Sequence, residues 1–139
     1  MTQAPMTPPP ASALAFVGGG NMARSLVGGL VAAGADPATI RVADPSAPTR
    51  DALVADFGVR VSGSAAEAVD GAGTWVFAVK PQVMREICAG LSGIAQAQRP
   101  LVVSIAAGIT APQLERWLGG GLAVVRAMPA PGCWRSSRR

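Results

Sequence analysis

The sequence predicts a doubly wound parallel α/β sheet, and three observations predict it. Short apolar runs of strand length alternate with segments of helical spacing from residue 13 to about residue 126. A glycine triplet, Gly18-Gly19-Gly20, joins the first run to the first helix. An acidic residue, Asp44, closes the second run, 21 positions after Ala23. In dinucleotide-binding units an acidic group stands at about that distance from the glycines.

The first unit is Leu14-Ala15-Phe16-Val17, a strand, followed by the glycines and a helix over Asn21–Leu30. Met22, Leu26 and Leu30 recur one turn apart and are expected on one face of that helix. The spacing fits G-x-G-x-x-A at Gly18, Gly20 and Ala23. Gly18 permits the sharp turn off the strand, and Gly20 removes a side chain that would block a pyrophosphate. Ala23 lets the helix sit close on the strand. The helix start offers unpaired N–H groups and a partial positive charge to phosphates. The competing reading is a glycine-rich turn in a chain that holds 17 glycines.

Gly34 and Asp36-Pro37 then stop the helix and turn the chain. Ile40-Arg41-Val42-Ala43 is the second strand. Pro48–Phe57 reads as a helix closed by Gly58, and Val59–Val61 as a brief strand. Ser64–Val69 reads as a short helix that Ser64 caps, with Glu67 three residues on. Trp75–Val79, apolar throughout, suits a central parallel strand. Pro81 fits the first turn of a helix over Gln82–Ala97, where its missing N–H is no loss. Leu101–Ile105 is a strand. Thr110 caps a helix that Pro112 opens and Gly119-Gly120-Gly121 ends, and Leu122–Arg126 is the last strand. Six strands and five helices in this alternation predict the order 3-2-1-4-5-6 with right-handed crossovers. The glycine motif after the first strand of such a pattern is the context that a dinucleotide site requires.

A chain of 139 residues is the size of one domain. Half of it is hydrophobic and 14% is charged, which excludes a disordered chain. The net charge of +4 gathers at the end, where Arg135, Arg138 and Arg139 crowd the last five residues. With those three set aside, nine basic residues face eight acidic ones and no basic stripe remains, so no nucleic-acid partner is expected. No apolar run reaches the roughly 18 residues that span a bilayer, and no secretory signal opens the chain. Cys88 sits in an apolar helical stretch as a small hydrophobe, and Cys133 stands apart from it. With no histidine either, neither a metal site nor a disulfide framework is expected, and a reducing cytoplasm is the compartment implied. Residues 1–12, with four prolines, read as a loose tail, 13–129 as the domain, and 130–139 as an irregular basic tail.

Ligands of this fold lie outside the carboxyl ends of the strands. There Asp44 favours a free ribose 2′-hydroxyl, while Ser46, Thr49 and Arg50 are groups suited to a 2′-phosphate. Asp44 and Ser46 equally suit caps for the next helix, so NADPH and NADH both stand. Ala78-Val79-Lys80-Pro81 leaves the fourth strand beside the crevice, and Lys80 is the only lysine in the chain. Ser104-Ile105-Ala106-Ala107-Gly108 leaves the fifth strand with small residues that let a flat ring approach. Arg126-Ala127-Met128-Pro129 leaves the sixth. Each also has a plain structural reading, as a solvated charge or as close strand–helix packing.

VGGGNMA at 17–23, AVKPQ at 78–82, SIAAGI at 104–109 and VRAMP at 125–129 together resemble the N-terminal domain of pyrroline-5-carboxylate reductase. The resemblance covers residues 13–129. It implies a Rossmann-like fold and reduction of 1-pyrroline-5-carboxylate to L-proline with NADPH or NADH. It further implies that Val17, Gly18, Gly19, Gly20, Asn21 and Met22 cradle the pyrophosphate and that Asp44 to Ser46 face the adenosine ribose. Ala78, Val79, Lys80 and Pro81, with Ala106, Ala107 and Gly108, would border the nicotinamide. Two departures stand out. The family's Asn-Thr-Pro after Met-Pro is replaced by Ala130-Pro131-Gly132-Cys133-Trp134, which reads like out-of-frame sequence. The resemblance also implies a C-terminal helical domain, through which family members form homo-oligomers and complete the active site, and this sequence is expected to lack it. A truncated chain of impaired activity, or a module that binds the dinucleotide without chemistry, is expected. The sequence has no His and no Tyr, so no catalytic acid is identified.

Overall fold

A computed structural model describes residues 13–106 and 108–127. The strands are β1 (Ala13–Val17), β2 (Ile40–Ala43), β3 (Arg60–Ser62), β4 (Ala72–Phe77), β5 (Leu101–Ser104) and β6 (Val124–Arg126). The helices are α1 (Asn21–Ala32), α2 (Ala47–Phe57), α3 (Ala65–Val69), α4 (Pro81–Gln98) and α5 (Ala111–Trp117). One sheet contains all six strands in the order β3-β2-β1-β4-β5-β6, and every pairing is parallel. The predicted fold class and strand order are therefore the observed ones. The tails predicted at 1–12 and 130–139, with Cys133 and Met128-Pro129, lie outside the described residues.

Period-two alternation divides the core between the two faces of the sheet. Phe16, Val42 and Val76 point to one face, where Ala23 and Val27 of α1 and Leu53 of α2 cover them. Ala15, Val17, Trp75, Phe77 and Val102 point to the other, against Val69, Met84, Cys88, Leu91 and Leu114 from α3, α4 and α5. Trp75, fully buried, donates its indole N–H to the Ala72 carbonyl at 3.1 Å, so its one polar atom is satisfied. Cys88 is fully buried, as expected of a small hydrophobe, and burial pushes its thiol up to about 12.

Several boundaries differ from the sequence reading. The buried residues of α1 are Ala23 and Val27, whereas Met22 is 43% exposed and Leu26 and Leu30 are half-buried. The helix lies so close to the sheet that the small residue faces it directly and the larger ones flank the contact. β4 begins at Ala72 and ends at Phe77, so Ala78 and Val79 are already outside it. The last rung there is the Ala78 N–H donating to the Val17 carbonyl at 2.8 Å, after which the chain turns into α4. At α3, Ser64 is the N-cap, but Glu67 does not reach back to it. Glu67 Oε1 accepts the Ser62 hydroxyl at 2.8 Å, and the Ser64 N–H donates to that same hydroxyl oxygen at 3.0 Å. The reciprocal bond of a capping box is thus relayed through Ser62. A complete capping box forms at α5 between Thr110 and Gln113.

Candidate functional site

The three consecutive glycines have three different reasons to be glycine. Gly18 has φ +106°, and a Cβ there would lie 2.9 Å from the Ala78 carbonyl, so backbone conformation and backbone packing both demand it. Gly19 packs under α2, where a Cβ would come within 3.1–3.3 Å of Leu53, Val42 and Thr49. Gly20 has an ordinary extended conformation, and a Cβ on it would meet nothing within 4 Å. The first glycine is required by the fold, and the second sits in a tight contact where a Cβ would have to displace side chains of β2 and α2 slightly. The third faces open space at the start of α1.

That start is chemically open. α2, α3 and α5 are capped by the side chains of Ser46, Ser64 and Thr110. α1 and α4 have no side-chain cap; their N-cap residues are Gly20 and Lys80. These two helices follow β1 and β4, the adjacent strands at which the order of the sheet reverses. That switch point is where an open α/β sheet binds its ligand. The first turn of α1, whose N–H groups have no side-chain cap and carry the positive end of the helix dipole, begins at that switch point. Met22 and Val83, two of the exposed large apolar residues, sit in the first turns of the same two helices.

Asp44 is fixed at the carboxyl end of β2. One carboxylate oxygen accepts the Gly19 N–H at 2.9 Å and the other accepts the Ser46 N–H at 2.8 Å. Its own N–H donates to the Ser62 carbonyl at 3.0 Å, and its carbonyl accepts the Arg50 guanidinium at 2.7 Å. The glycine loop, the β2–α2 turn and the end of β3 are thus tied at one residue. Ser46 caps α2, its hydroxyl accepting the Thr49 N–H at 3.4 Å. The capping alternative read from the sequence is therefore observed for Ser46, while Asp44 does more than cap, since it reaches across to the glycine loop.

The other expected residues lie along the same rim. Val17 is buried and contributes main chain. Gly18 and Gly19 are buried, and Gly20, Asn21 and Met22 are exposed. Ala78 and Val79 are half-buried against Gly18, and Lys80 and Pro81 are exposed at the start of α4. Ala106 is buried, its N–H donating to the buried Ser104 hydroxyl oxygen at 3.3 Å, and Gly108 is exposed at φ +82°. Ala107 lies outside the described residues. The carboxyl ends of β2, β1, β4 and β5, neighbours in that order, carry all of these positions.

Sequence reading missed the part played by Ser62 and Gly63, which border Asp44 and Arg50. The signal was available in the strand order, because β3 beside β2 brings their carboxyl ends together. A separate open recess of about 530 Å³ lies at the β3 edge, lined by Arg41, Val54, Arg60, Ser62 and Glu67 among others. Its Arg41 is turned to the carbonyls of Ala68 and Asp70, and its Ser62 to Glu67, so these groups serve the fold. Among the described residues no group of acidic, cysteine or histidine side chains has the arrangement of a metal site. No helix there is long and apolar enough to cross a membrane.

A parallel sheet in this order, with a glycine turn after its first strand and an acidic residue after its second, defines a Rossmann-like α/β domain. The chain belongs to the family described as NADP oxidoreductase, coenzyme F420-dependent, which residues 13–108 match. It is similar to the pyrroline-5-carboxylate reductase of Pseudomonas aeruginosa, 47% identical over 116 residues that make up 84% of this chain and 42% of that protein. The reductase of the same name from Vibrio alginolyticus is 41% identical over 116 residues, with the same shares. A solved pyrroline-5-carboxylate reductase from Coxiella burnetii matches with a TM-score of 0.84 at 39% identity, over 89% of this chain and 46% of that one. The resemblance read from the four motifs is borne out. The chain spans less than half the length of these relatives.

Proposed function

We propose that this chain is the dinucleotide-binding part of an NAD(P)H-dependent reductase acting on the C=N bond of 1-pyrroline-5-carboxylate. The observation that carries the reading is Gly20. It is a glycine that neither backbone conformation nor internal packing requires, at the uncapped start of a helix that faces the switch point. A pyrophosphate approaching the main chain there is a reason for its lack of a side chain.

In this reading the main chain of Val17 to Met22 holds the pyrophosphate with backbone N–H groups, and Asp44 to Ser46 meet the adenosine ribose. Ala78 to Pro81, with Ala106 and Gly108, flank the nicotinamide end and keep bulky side chains away from it. A dinucleotide held there would supply the hydride for a C=N carbon, the ring nitrogen keeping the proton of the iminium form, and the residues named above would orient it. No residue in the described part is assigned as the acid. In this reading Lys80, exposed at the uncapped start of α4, would meet anionic groups of the ligand.

The similarity of most of this chain to pyrroline-5-carboxylate reductases supports the substrate, and the substrate carboxylate is expected to be held by protein beyond the matched span. A second reading, a module that binds the dinucleotide without chemistry, is favoured by the lack of His and Tyr. Turnover of 1-pyrroline-5-carboxylate decides between them, measured for the chain alone and with the remaining part of a relative added. Very low turnover alone and a rise on addition support the first reading. No turnover in either state, with dinucleotide still bound, supports the second.

A further inference from the structure

Resting on the dinucleotide reading above, we propose that Ser104 is a positioning residue, whose buried hydroxyl fixes the turn after β5 that borders the nicotinamide end in that reading.

Among the described residues Ser104 is the one polar or charged residue that is buried, at 1% exposure. Alternation along β5 puts it on the same face of the sheet as the fully buried Val102. An apolar residue would fill that place without the cost of burying a hydroxyl. The turn that follows supplies the reason for a serine.

β5 makes its last rungs here. The Ile105 N–H donates to the Phe77 carbonyl of β4 at 3.1 Å, and the Ser104 carbonyl accepts the Ala127 N–H at 2.8 Å. One residue further, the Ala106 N–H donates to the Ser104 hydroxyl oxygen at 3.3 Å, in place of a strand partner. Ala106 is itself buried, so an N–H freed there would have no water to turn to. The far side of the turn is held as well, since Ile109 is buried and Thr110 closes a capping box on α5.

Between these anchors the described residues carry little bulk. Ala106 is small, and Gly108, at φ +82°, would carry a Cβ into open space. A flat ring resting on such a turn meets main chain, and no side chain is there to adjust to it. The height of the turn therefore decides the contact. Without the hydroxyl, a ligand group at the turn would have to order Ala106 as it binds, and that cost is drawn from its affinity. Groups held at the glycine loop and at Asp44, on β1 and β2, would bear no such cost.

The test compares NADH with ADP-ribose, which keeps the adenosine, the pyrophosphate and the second ribose but has no nicotinamide. Each is titrated calorimetrically into the intact chain and into Ser104→Ala, with a thermal melt of both proteins. NADH binding is expected to weaken about three- to tenfold in the variant, the worth of one hydrogen bond, while ADP-ribose changes by less than about twofold. A merely structural role would lower the melt and move both ligands alike, or neither. If Ser104→Ala does not fold, Ser104→Cys takes its place, because its sulfur keeps the side chain's shape but is a weak acceptor, and the same split is expected. Equal losses for the two ligands, or none, overturn the proposal and leave the dinucleotide reading standing. Failure of both variants to fold assigns the hydroxyl to the fold and overturns it as well. A folded parent chain that binds neither ligand overturns the dinucleotide reading and this inference with it.

Discussion

Gly18 and Gly20 stand two residues apart in one motif and answer to different forces. Gly18 is required by the fold, so Gly18→Ala meets both a positive φ and a 2.9 Å approach to the Ala78 carbonyl. A loss on the order of 1–3 kcal/mol is expected from the backbone alone, visible as a lower urea midpoint. Cys88 supplies a second test at this scale. Its thiol is pushed from an ordinary value of 9.0 up to about 12 by burial, so the folded chain keeps a proton that the unfolded chain releases. Stability is therefore expected to be flat below pH 9 with respect to this group and to fall as pH rises from about 9 to about 12. Comparing denaturant midpoints of the parent and Cys88→Ala across that range isolates the contribution. The decline attributable to Cys88 should vanish in the variant. Which glycine does what was not legible in the sequence, because the distinction depends on Ala78, Leu53 and Val42, which the topology brings in from other strands and helices.

Among elements, what was legible followed from local chemistry. Ser64 and Thr110 were read as N-caps and are N-caps, and Gly58 was read as a helix stop and is one, at φ +72°. Thr110 carries both bonds of a capping box on a seven-residue helix that buries Leu114. Thr110→Ala is expected to cost about 1 kcal/mol of unfolding free energy, measured by denaturant titration. What was not legible arises from tertiary context. α4 ends at Arg99 in a left-handed conformation, φ +50°, a position that sequences usually mark with glycine. Here the Arg99 side chain reaches the Gly121 carbonyl, from a loop more than twenty residues away. The buried stripe of α1 was misjudged for a related reason. Periodicity finds the large apolar residues, but close helix–sheet contact selects the small one, Ala23.

For the whole molecule, the alternation of strands and helices carried the topology correctly, because parallel strands need crossovers and crossovers take one hand. That order brings the ends of β2, β1, β4 and β5 into one row and so gathers the candidate site's segments from some ninety residues of chain. The segments at that rim were legible as small-residue turns after apolar strands. The ties among them were not, since Asp44 reaches Gly19 and Arg50 turns back to Asp44 only in three dimensions.

The open direction at Gly20 is, in the reading proposed above, the seat of a dinucleotide pyrophosphate. Its most direct test is a fluorescence titration of the parent chain and Gly20→Val with reduced nicotinamide dinucleotide, alongside a thermal melt of each. Saturable binding by the parent and at least a tenfold loss in the variant are expected, with the variant still folded because a Cβ there meets no neighbour and its stability lowered by no more than a poorer N-cap costs, about 1 kcal/mol. A folded parent that binds no dinucleotide, or a variant that binds as the parent does, would contradict it.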